Sequence, residues 1–363
     1  MEAGPVGLAA VGDLMLGDSA VCVGYGFRSR YGDADPTRLF AGVKPLFEGA
    51  GLVFGNLETV LSLSGLDPSS LSSAQMRGSP SFARALRHAG FDVVSVANNH
   101  ANQHGADAYD ETVALLREAG VTPCGMRGTA PWCSEAAVLT RDGTRVGFLG
   151  YCLRPRQYGD GEPPFAEGTS FEILADVRRL RPSVDYVVVS LHWGEEFVPR
   201  PSAGEVALGR SIIDAGASLV IGHHPHVLRP VELYGAGVIA YSLGNFVADM
   251  VWQRRLREGA LVRCTLAAGG VTDVEVTPTL IGDDFRPAAS GPTQRPTDEL
   301  QGGMPESEYR RAVARSVRVQ QLASYGYALA NARRYPRPIL TQLLTRTLRN
   351  KITGLLPFRR AGS

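Results

Sequence analysis

Cysteine is scarce in this sequence, and the few cysteines that occur are not paired. The 363 residues include five cysteines, which are widely spaced and form no C-x-x-C pair. Disulfide frameworks and zinc ribbons need paired or closely spaced cysteines, so neither is indicated. We therefore expect reduced thiols, as is typical of a cytoplasmic protein.

Long apolar runs are also missing. No apolar stretch reaches the length of about 18 residues that a transmembrane helix requires. A strand pattern begins as early as Val6, which leaves no room for the charged region, apolar segment and cleavage site of a signal peptide. With 44% hydrophobic and 20% charged residues, the composition is that of a soluble globular protein. These features predict a cytoplasmic location.

Acidic residues are absent from one part of the chain. Residues 309–363 contain 12 Arg or Lys and no Asp or Glu, although the whole chain has a formal charge of +1. A segment rich in Pro, Gly, Ser and Thr precedes this basic region and has the composition of a linker. We predict a main domain over residues 1–285, a linker over 286–305 and a basic helical extension over 306–363.

The last predicted helix runs from Ile339 to Leu355 and has a regular apolar face. Its apolar residues recur at every fourth position, at Leu340, Leu344, Leu348 and Ile352. We expect this face to pack against the domain and the arginines of the helix to stay solvated. A basic amphipathic helix can also contact a membrane, but the pattern is a weak indication of any one partner. Packing is favoured over membrane contact, and no specific nucleic-acid partner is predicted.

Apolar runs alternate with helical patterns through the first two thirds of the chain, which favours an α/β fold. One run, LVIGHHPH at residues 219–226, ends in three of the seven histidines. A buried strand that delivers imidazoles to its carboxyl end is typical of a metal site or an acid–base site. This run is therefore the first candidate for the functional site.

Four other predicted strands also end in turns that carry a metal-binding or acid–base side chain. In chain order, the candidate residues are Asp13, Glu58, Asn99 with His100, His192, and His224 with His226. Because the strands of one sheet align their ends, we expect these side chains to converge on one site. The mixture of carboxylate, amide and imidazole suits a divalent Zn, Mn or Fe ion better than Mg or Ca.

Six motifs carry a family resemblance. GDLML, NLET, ANNHAN, LHWGEEF, GHHPH and YSLGNF occur in this order between about residues 6 and 250. The chain thereby resembles the CapA family, named for a poly-γ-glutamate capsule synthesis protein, which is similar to the calcineurin-like metallophosphoesterases. The resemblance implies a four-layer α/β/β/α sandwich of the metallophosphoesterase type, followed here by the C-terminal helical extension. The site would lie at the strand ends between the two sheets.

The resemblance also implies a role for each candidate residue. The metal ligands, in the order first ion, bridge and second ion, would be Asp13 with His226, Glu58, and Asn99 with His192 and His224. His100 would contact the substrate as an acid or charge stabiliser. Two positions depart from these patterns. Met15 stands where phosphoesterases usually place a histidine that would complete the first metal site, as it generally does in CapA-like sequences, and Gln103 stands where CapA-like chains commonly carry an aspartate that would orient His100.

Three residues beside the motifs have both a structural and a functional interpretation. Trp193 could line a substrate pocket or belong to the hydrophobic core. Glu196 could orient an imidazole or be an exposed carboxylate. Asn245 is expected to shape the floor of the cleft through hydrogen bonds.

Three functions remain open from the sequence. The first is a metal-dependent hydrolase or transferase that acts on a phosphate ester or on an amide of a γ-glutamyl polymer or peptide, so that its substrate would be a small molecule, a peptide or a polymer. The second is an epimerase of ribosomally made peptides, a class that some CapA-like proteins resemble, with no metal or organic cofactor. Its acid–base pair would be Asp13 with His224 or His226. The third is a non-catalytic protein that binds an acidic partner through the basic extension.

Overall fold

The structure is a computed structural model of the chain. It describes residues 4–32, 34–35, 38–159, 161–296 and 300–352, the last six of these by their backbone alone. The predicted end of the last helix, at Leu355, lies outside the described residues. The strands, in chain order, are β1 (Val6–Leu14), β2 (Leu52–Leu57), β3 (Val93–Ser95), β4 (Thr122–Cys124), β5 (Ala137–Arg141), β6 (Thr144–Cys152), β7 (Tyr186–His192), β8 (Leu219–His223), β9 (Val231–Tyr234), β10 (Gly237–Ala240), β11 (Asn245–Val247), β12 (Glu258–Ala267), β13 (Gly270–Ile281) and β14 (Pro287–Ala289).

In the first part of the chain, helices separate most of the strands. Two further α-helices follow the last described strand. The α-helices, in chain order, are α1 (Phe27–Tyr31), α2 (Leu71–Ala74), α3 (Phe82–Ala89), α4 (Ala106–Glu118), α5 (Ser170–Leu180), α6 (Ala203–Asp214), α7 (Arg254–Arg257), α8 (Glu306–Ala330) and α9 (Arg337–Ile352). Short 3₁₀ helices occur at Lys44–Phe47, Arg181–Ser183 and Ala332–Arg334. None of the helices in the described part of the chain is long and apolar enough to span a bilayer.

The described strands form two sheets. The first has the order β14-β13-β12-β1-β2-β3-β4, and β11 also pairs with β1. In it, β1, β2, β3 and β4 run parallel, whereas β12, β13 and β14 are antiparallel. The second has the order β5-β6-β7-β8-β10-β9, with β6, β7, β8 and β10 parallel. The carboxyl ends of the parallel strands therefore form one edge in each sheet.

Side chains of each strand alternate between two cores. In β1, Leu8 and Ala10 point into the space between the sheets, where Val188 of β7 meets them from the second sheet. Ala9 and Val11 point to the outer side of the first sheet. Both faces of these strands are buried, which explains why they read as continuous apolar runs.

Helices cover the outer face of each sheet. Phe27 of α1, Phe82 of α3 and Val113 of α4 pack on the first sheet. Ile173 of α5 and Ile212 of α6 pack on the second. Helix, sheet, sheet and helix are thus stacked in four layers, which confirms the predicted α/β/β/α sandwich.

The C-terminal helices pack along the side of the sandwich. At the start of α8, the Tyr309 hydroxyl accepts a hydrogen bond of 2.9 Å from the Glu195 backbone. Between α8 and α9, Tyr335 packs edge-on against Tyr25, with ring centroids 5.0 Å apart. The segment predicted as a linker contains β14, which pairs with β13, and Met304, which is buried. Several contacts therefore hold this part of the chain against the first 285 residues.

The packed face of α9 differs from the predicted one. Ile339 is buried and Leu343 packs in the same cluster, but Leu344 is 45% exposed. The predicted apolar face is therefore wrong at Leu344. Residues four positions apart drift by about 40° around a helix of 3.6 residues per turn, so this row turns away from the domain. The side chains of Leu348 and Ile352 lie outside the described residues.

A prediction concerns the core between the sheets. Phe54 and Phe148 stack from opposite sheets with ring centroids 6.0 Å apart and an interplanar angle of 2°. Both are fully buried. We expect Phe54→Ala to lower the free energy of unfolding by about 3–5 kcal/mol, because it leaves a cavity between the layers. Urea unfolding measures this change.

The matched control for this substitution is Phe171→Ala. Phe171 lies on α5 with 78% of its surface exposed. We expect its replacement to change stability by no more than about 0.5 kcal/mol. Equal losses from the two substitutions would contradict the placement of Phe54 in the inter-sheet core.

Candidate functional site

The predicted strand ends meet in one buried cluster. Asp13 lies near the end of β1, Glu58 follows β2, and His192 is the last residue of β7. His224 and His226 follow β8. Because β1 and β2 run parallel in one sheet and β7 and β8 in the other, their carboxyl ends meet at one end of the sandwich. Each of the five residues is at most 3% exposed.

Glu58 lies at the centre of the cluster. Its Oε1 is 3.4 Å from His192 Nε2, 3.9 Å from His226 Nε2 and 4.0 Å from His100 Nε2. These distances are longer than ordinary hydrogen bonds. Neither carboxylate oxygen has a hydrogen-bond partner among the described residues. A buried carboxylate without partners is costly, so both oxygens are available to a ligand.

Asp13 is surrounded by donors. Asn56 Nδ2 donates to its Oδ1 at 2.9 Å, and the His224 backbone N–H donates to its Oδ2 at 3.3 Å. The Nδ1 atoms of His223 and His226 lie 3.2 Å and 3.3 Å from the same carboxylate. These contacts fix the side chain at the boundary between the two sheets.

Amide side chains orient two of the imidazoles. Asn245 donates through Nδ2 to the Leu256 carbonyl, which leaves its Oδ1 to accept from His226 Nδ1 at 3.0 Å. The Nε2 atom of His226 therefore faces Glu58. On the other side of the cluster, His192 Nδ1 lies 3.4 Å from Asn56 Nδ2, while its Nε2, which faces Glu58, lies 2.7 Å from Asn99 Oδ1. Such partners commonly hold metal-binding histidines in a productive orientation.

His100 lies at the edge of the cluster, with its Nε2 4.0 Å from Glu58 Oε1. Its Nδ1 is 2.6 Å from Gln103 Oε1, so the glutamine occupies the orienting position expected for an aspartate. The Tyr158 ring covers His100 with centroids 5.9 Å apart. Burial lowers the pKa of His100 to about 4, against a partial rise from the Gln103 hydrogen bond. The imidazole is therefore neutral near pH 7.

Burial and neighbouring charges shift the pKa values of the cluster in opposite directions. Burial raises the pKa of Glu58 well above its usual value, and the Asp13 charge adds to this shift. Burial lowers the pKa of His192 and His224, so these imidazoles are neutral, the form that binds metals. Burial also opposes the imidazolium of His226, but the hydrogen bond and the charge of the ionised Asp13 act against it and favour a raised pKa. Burial favours a neutral Asp13, yet two adjacent imidazoles hold its pKa below the usual range.

The cluster fits a divalent metal. Two groups of three residues could each hold an ion, because within each group the ligand atoms all lie within 4.8 Å of one another. The groups are Asp13 with Glu58 and His192, and Glu58 with His224 and His226. Both nitrogens of His224, like both oxygens of Glu58, have no hydrogen-bond partner in the described part of the chain. Glu58 belongs to both groups, which agrees with a bridging position. The groups divide the histidines differently from the family pattern, so the division between two ions stays a prediction.

The backbone after β8 is strained at the site. His224 and His226 have φ angles of 93° and 55°, a region that side-chain-bearing residues rarely adopt. Just before them, a Cβ on Gly222 would lie 2.3 Å from the Tyr241 carbonyl oxygen. Glycine is therefore required for the close packing of β8, and the strained turn directs both imidazoles toward Glu58.

The three flanking residues have different environments. Trp193 is 1% exposed, packs in the outer core of the second sheet and donates to the Tyr241 carbonyl at 3.1 Å. It is a core residue, and its predicted substrate contact is wrong. Burial raises the pKa of Glu196, whose charge in turn acts on His226. Asn245 contacts His226 directly through its Oδ1.

Sequence reasoning assigned no role to three residues of the site. Asn56 contacts Asp13. It lies two residues before Glu58, so the side chains of Asn56 and Glu58 point to the same face of the sheet. His223 also contacts Asp13 and continues the inter-sheet face of β8. Both follow from the period of two in a strand. Arg154 lies beyond the end of β6, where the period of a strand no longer applies.

Comparisons with known proteins identify the family. A family model described as "Bacterial capsule synthesis protein PGA_cap" matches residues 7–250. "Capsule biosynthesis protein CapA" of Bacillus anthracis is 30% identical over 282 residues, which cover 75% of this chain and 66% of that protein. "PGA biosynthesis protein CapA" of Bacillus subtilis (strain 168) is 28% identical over 292 residues, covering 78% and 73%. The 5'-nucleotidase from Candida albicans SC5314 covers 92% of this chain and 59% of its own, at 9% identity and a TM-score of 0.44, a likeness that carries no weight here.

The matched region contains every motif residue from Asp13 to Asn245. The chain spans slightly less than two thirds of the B. anthracis relative, and α8 and α9 lie beyond the match to the family model. The family resemblance predicted from six motifs is confirmed. This chain belongs to the family of bacterial capsule synthesis proteins described as PGA_cap.

Proposed function

We propose that the chain is a metal-dependent hydrolase or transferase that acts on an anionic substrate, either a phosphate ester or a γ-glutamyl amide. The observation that supports it is the centre of the cluster, where Glu58 Oε1 lies among imidazoles and neither Glu58 oxygen has a hydrogen-bond partner in the described residues. The names of the Bacillus relatives, which refer to capsule and PGA biosynthesis, favour a γ-glutamyl substrate.

The residues that would hold the metal are those whose ligand atoms converge. They are Asp13, Glu58, Asn99, His192, His224 and His226. Zn, Mn or Fe bound there would polarise the substrate and activate water at neutral pH. Carboxylate and imidazole together are the donors that such ions prefer.

The other residues of the site orient and protect this chemistry. Asn245 and Asn56 hold His226 and Asp13, respectively, through hydrogen bonds of 3.0 Å and 2.9 Å. His100, held by Gln103, directs its Nε2 toward Glu58 and can contact a substrate bound there. Because the cluster is almost fully buried, a substrate group that reaches it leaves bulk water.

Metal loading provides the direct test of this proposal. We expect protein purified without chelator to contain Mn, Zn or Fe in stoichiometric amount, measured by elemental analysis. Because a ligand at 1,000 times its Kd stabilises the native state by about 4 kcal/mol, removing the metal should lower the unfolding temperature by several degrees. Re-addition should restore it. The same preparations are assayed with 4-nitrophenyl phosphate and γ-glutamyl 4-nitroanilide.

The outcomes of that experiment are distinct. Hydrolysis that disappears with chelator and returns with the metal supports the proposal, and the preferred probe identifies the bond that is cleaved. Metal-free protein whose thermal stability is unchanged by all three ions contradicts it.

A second candidate function is a metal-independent peptide epimerase. The observation that favours it is the contact of 3.3 Å between Asp13 and His226, because this pair can act as the base that removes the α-proton; a separate group, for which His224 is the candidate, would return a proton to the opposite face. In this case the chain would incorporate solvent deuterium at the α-carbon of a peptide in D2O. Exchange that persists in chelator would favour this candidate over the hydrolase.

A further inference from the structure

Arg154 lies at the rim of the cluster. β6 and β7 are parallel neighbours, with Cys152 opposite His192. Arg154 therefore emerges two residues past the end of β6, beside Gly194 at the same distance past β7. Its side chain is only 16% exposed. It lines a small cavity together with Asn99, the residue that contacts His192.

Three of the five N–H donors of Arg154 are in use. Nη1 donates to the Gly194 carbonyl and to Glu195 Oε1, the latter at 2.9 Å. Nη2 donates to Glu195 Oε2 at 3.1 Å. Nε is buried and has no hydrogen-bond partner in the part of the chain that the structure describes. The donors that remain are Nε–H and the second hydrogen of Nη2.

These two free donors lie on the same edge of the guanidinium. Arginine binds carboxylates and phosphates through two parallel N–H groups, and the second edge of Arg154 offers such a pair. A purely structural ion pair with Glu195 leaves Nε buried and unsatisfied, at a cost of about 1–3 kcal/mol. A ligand oxyanion removes that cost.

We propose that Arg154 binds an oxyanion of the substrate, a carboxylate or a phosphate, through its free edge and thereby positions the substrate against the Glu58 cluster. This inference rests on the proposed function for the identity of the neighbouring chemistry. Arg154 is then a specificity-determining residue, and Glu195 pairs with the opposite edge of its guanidinium.

The test measures anion binding to the full chain by isothermal titration calorimetry, with glutarate, inorganic phosphate and neutral glutaramide as probes. We expect Arg154→Lys to lower the affinity for the anion at least about tenfold, because hydrogen bonds to charged groups contribute about 1.5–3 kcal/mol. Lysine keeps the charge but lacks the second edge. Arg154→Gln, the second variant, should weaken it at least as much.

Two controls separate recognition from structure. Arg254 is an exposed arginine paired with Glu258, and Arg254→Lys should leave anion affinity unchanged. Glu195→Gln removes the ion pair of Arg154 but leaves its free edge, so it should not weaken anion binding. Circular dichroism confirms that each variant is folded.

The outcomes decide the proposal. A loss confined to the Arg154 variants supports it, and the anion affected distinguishes a carboxylate substrate from a phosphate substrate. Unchanged affinity in Arg154→Lys, equal loss in Arg254→Lys, or no binding of either anion to the wild-type chain overturns it. Metal content is measured in parallel. If the wild-type chain holds no metal but anion binding still depends on Arg154, the proposed function fails and the anion site remains.

Discussion

Replacement of Glu58 by glutamine should reduce metal-dependent activity by about 10³-fold or more. Glu58 belongs to both candidate ligand groups, so no other substitution removes a ligand from both at once. Metal ions supply several kcal/mol of transition-state stabilisation, and about 4 kcal/mol corresponds to a thousandfold change in rate. Elemental analysis of Glu58→Gln should show a loss of bound metal. Its metal affinity should fall by more than the roughly 10–100-fold that the loss of a supporting residue costs.

The same substitution should have the opposite effect on the stability of metal-free protein. Burial raises the pKa of Glu58, so its folded state holds a proton more tightly than the unfolded state does. The contribution of the Glu58 side chain to stability is therefore lost as the pH rises from its pKa in the unfolded state toward its raised pKa in the folded state. Glutamine has the same shape without the charge. We expect metal-free Glu58→Gln to be at least as stable as metal-free wild type at pH 7, as measured by urea unfolding.

The control for this prediction is Glu118→Gln, at an exposed position near the end of α4. It should change neither metal content nor activity. Full metal content and full activity in Glu58→Gln would remove the central residue from the proposed mechanism.

The sequence predicted the candidate site better than the path of the chain around it. Asp13 and His192 both end apolar runs, and a buried parallel strand places its last residue at a sheet edge whatever its partners are. The pairing of those strands is not local. Val6 pairs with Leu266, far along the chain, and nothing in either segment specifies the other.

Two neighbours of the motifs show where local patterns decide and where they do not. Trp193 directly follows His192, and adjacent strand residues face opposite sides, so the period of two already favours the outer core over the site. The position of Arg154 depends instead on the register of β6 against β7 and on a loop rich in proline. Its role at the site became visible only from its hydrogen bonds.

The C-terminal extension illustrates a further limit of composition. Its basic residues set it apart in charge, yet Tyr309 contacts the loop that follows His192, and its hydroxyl also lies 3.1 Å from Arg229 Nη2. Arg229 in turn donates to the carbonyls of Glu195 and Val198. The extension thereby supports the loop that carries Glu195, the partner of Arg154. A contact of this kind depends on tertiary packing that charge and periodicity do not specify.

Replacement of Asp13 by asparagine should separate the two candidate functions. Asparagine keeps an oxygen that can accept from Asn56, but it replaces the second oxygen, near His226 Nδ1, with an amide donor. The ligand group of Asp13, Glu58 and His192 then loses its only charge apart from Glu58. For the hydrolase, we expect activity to fall about 10³-fold, together with the loss of bound metal.

The readouts of Asp13→Asn are metal content by elemental analysis, hydrolysis of the two chromogenic probes and α-hydrogen exchange of a peptide in D2O. Asp110→Asn, at an exposed position on α4, serves as the matched control and should match wild type in all three. Joint loss of metal and hydrolysis supports metal-dependent chemistry. If Asp13→Asn instead abolishes deuterium exchange while the metal content stays at the wild-type level, Asp13 acts by proton transfer and the hydrolase proposal is wrong. This follows because the loss of a metal ligand weakens metal binding, whereas the loss of a catalytic base leaves metal binding unchanged.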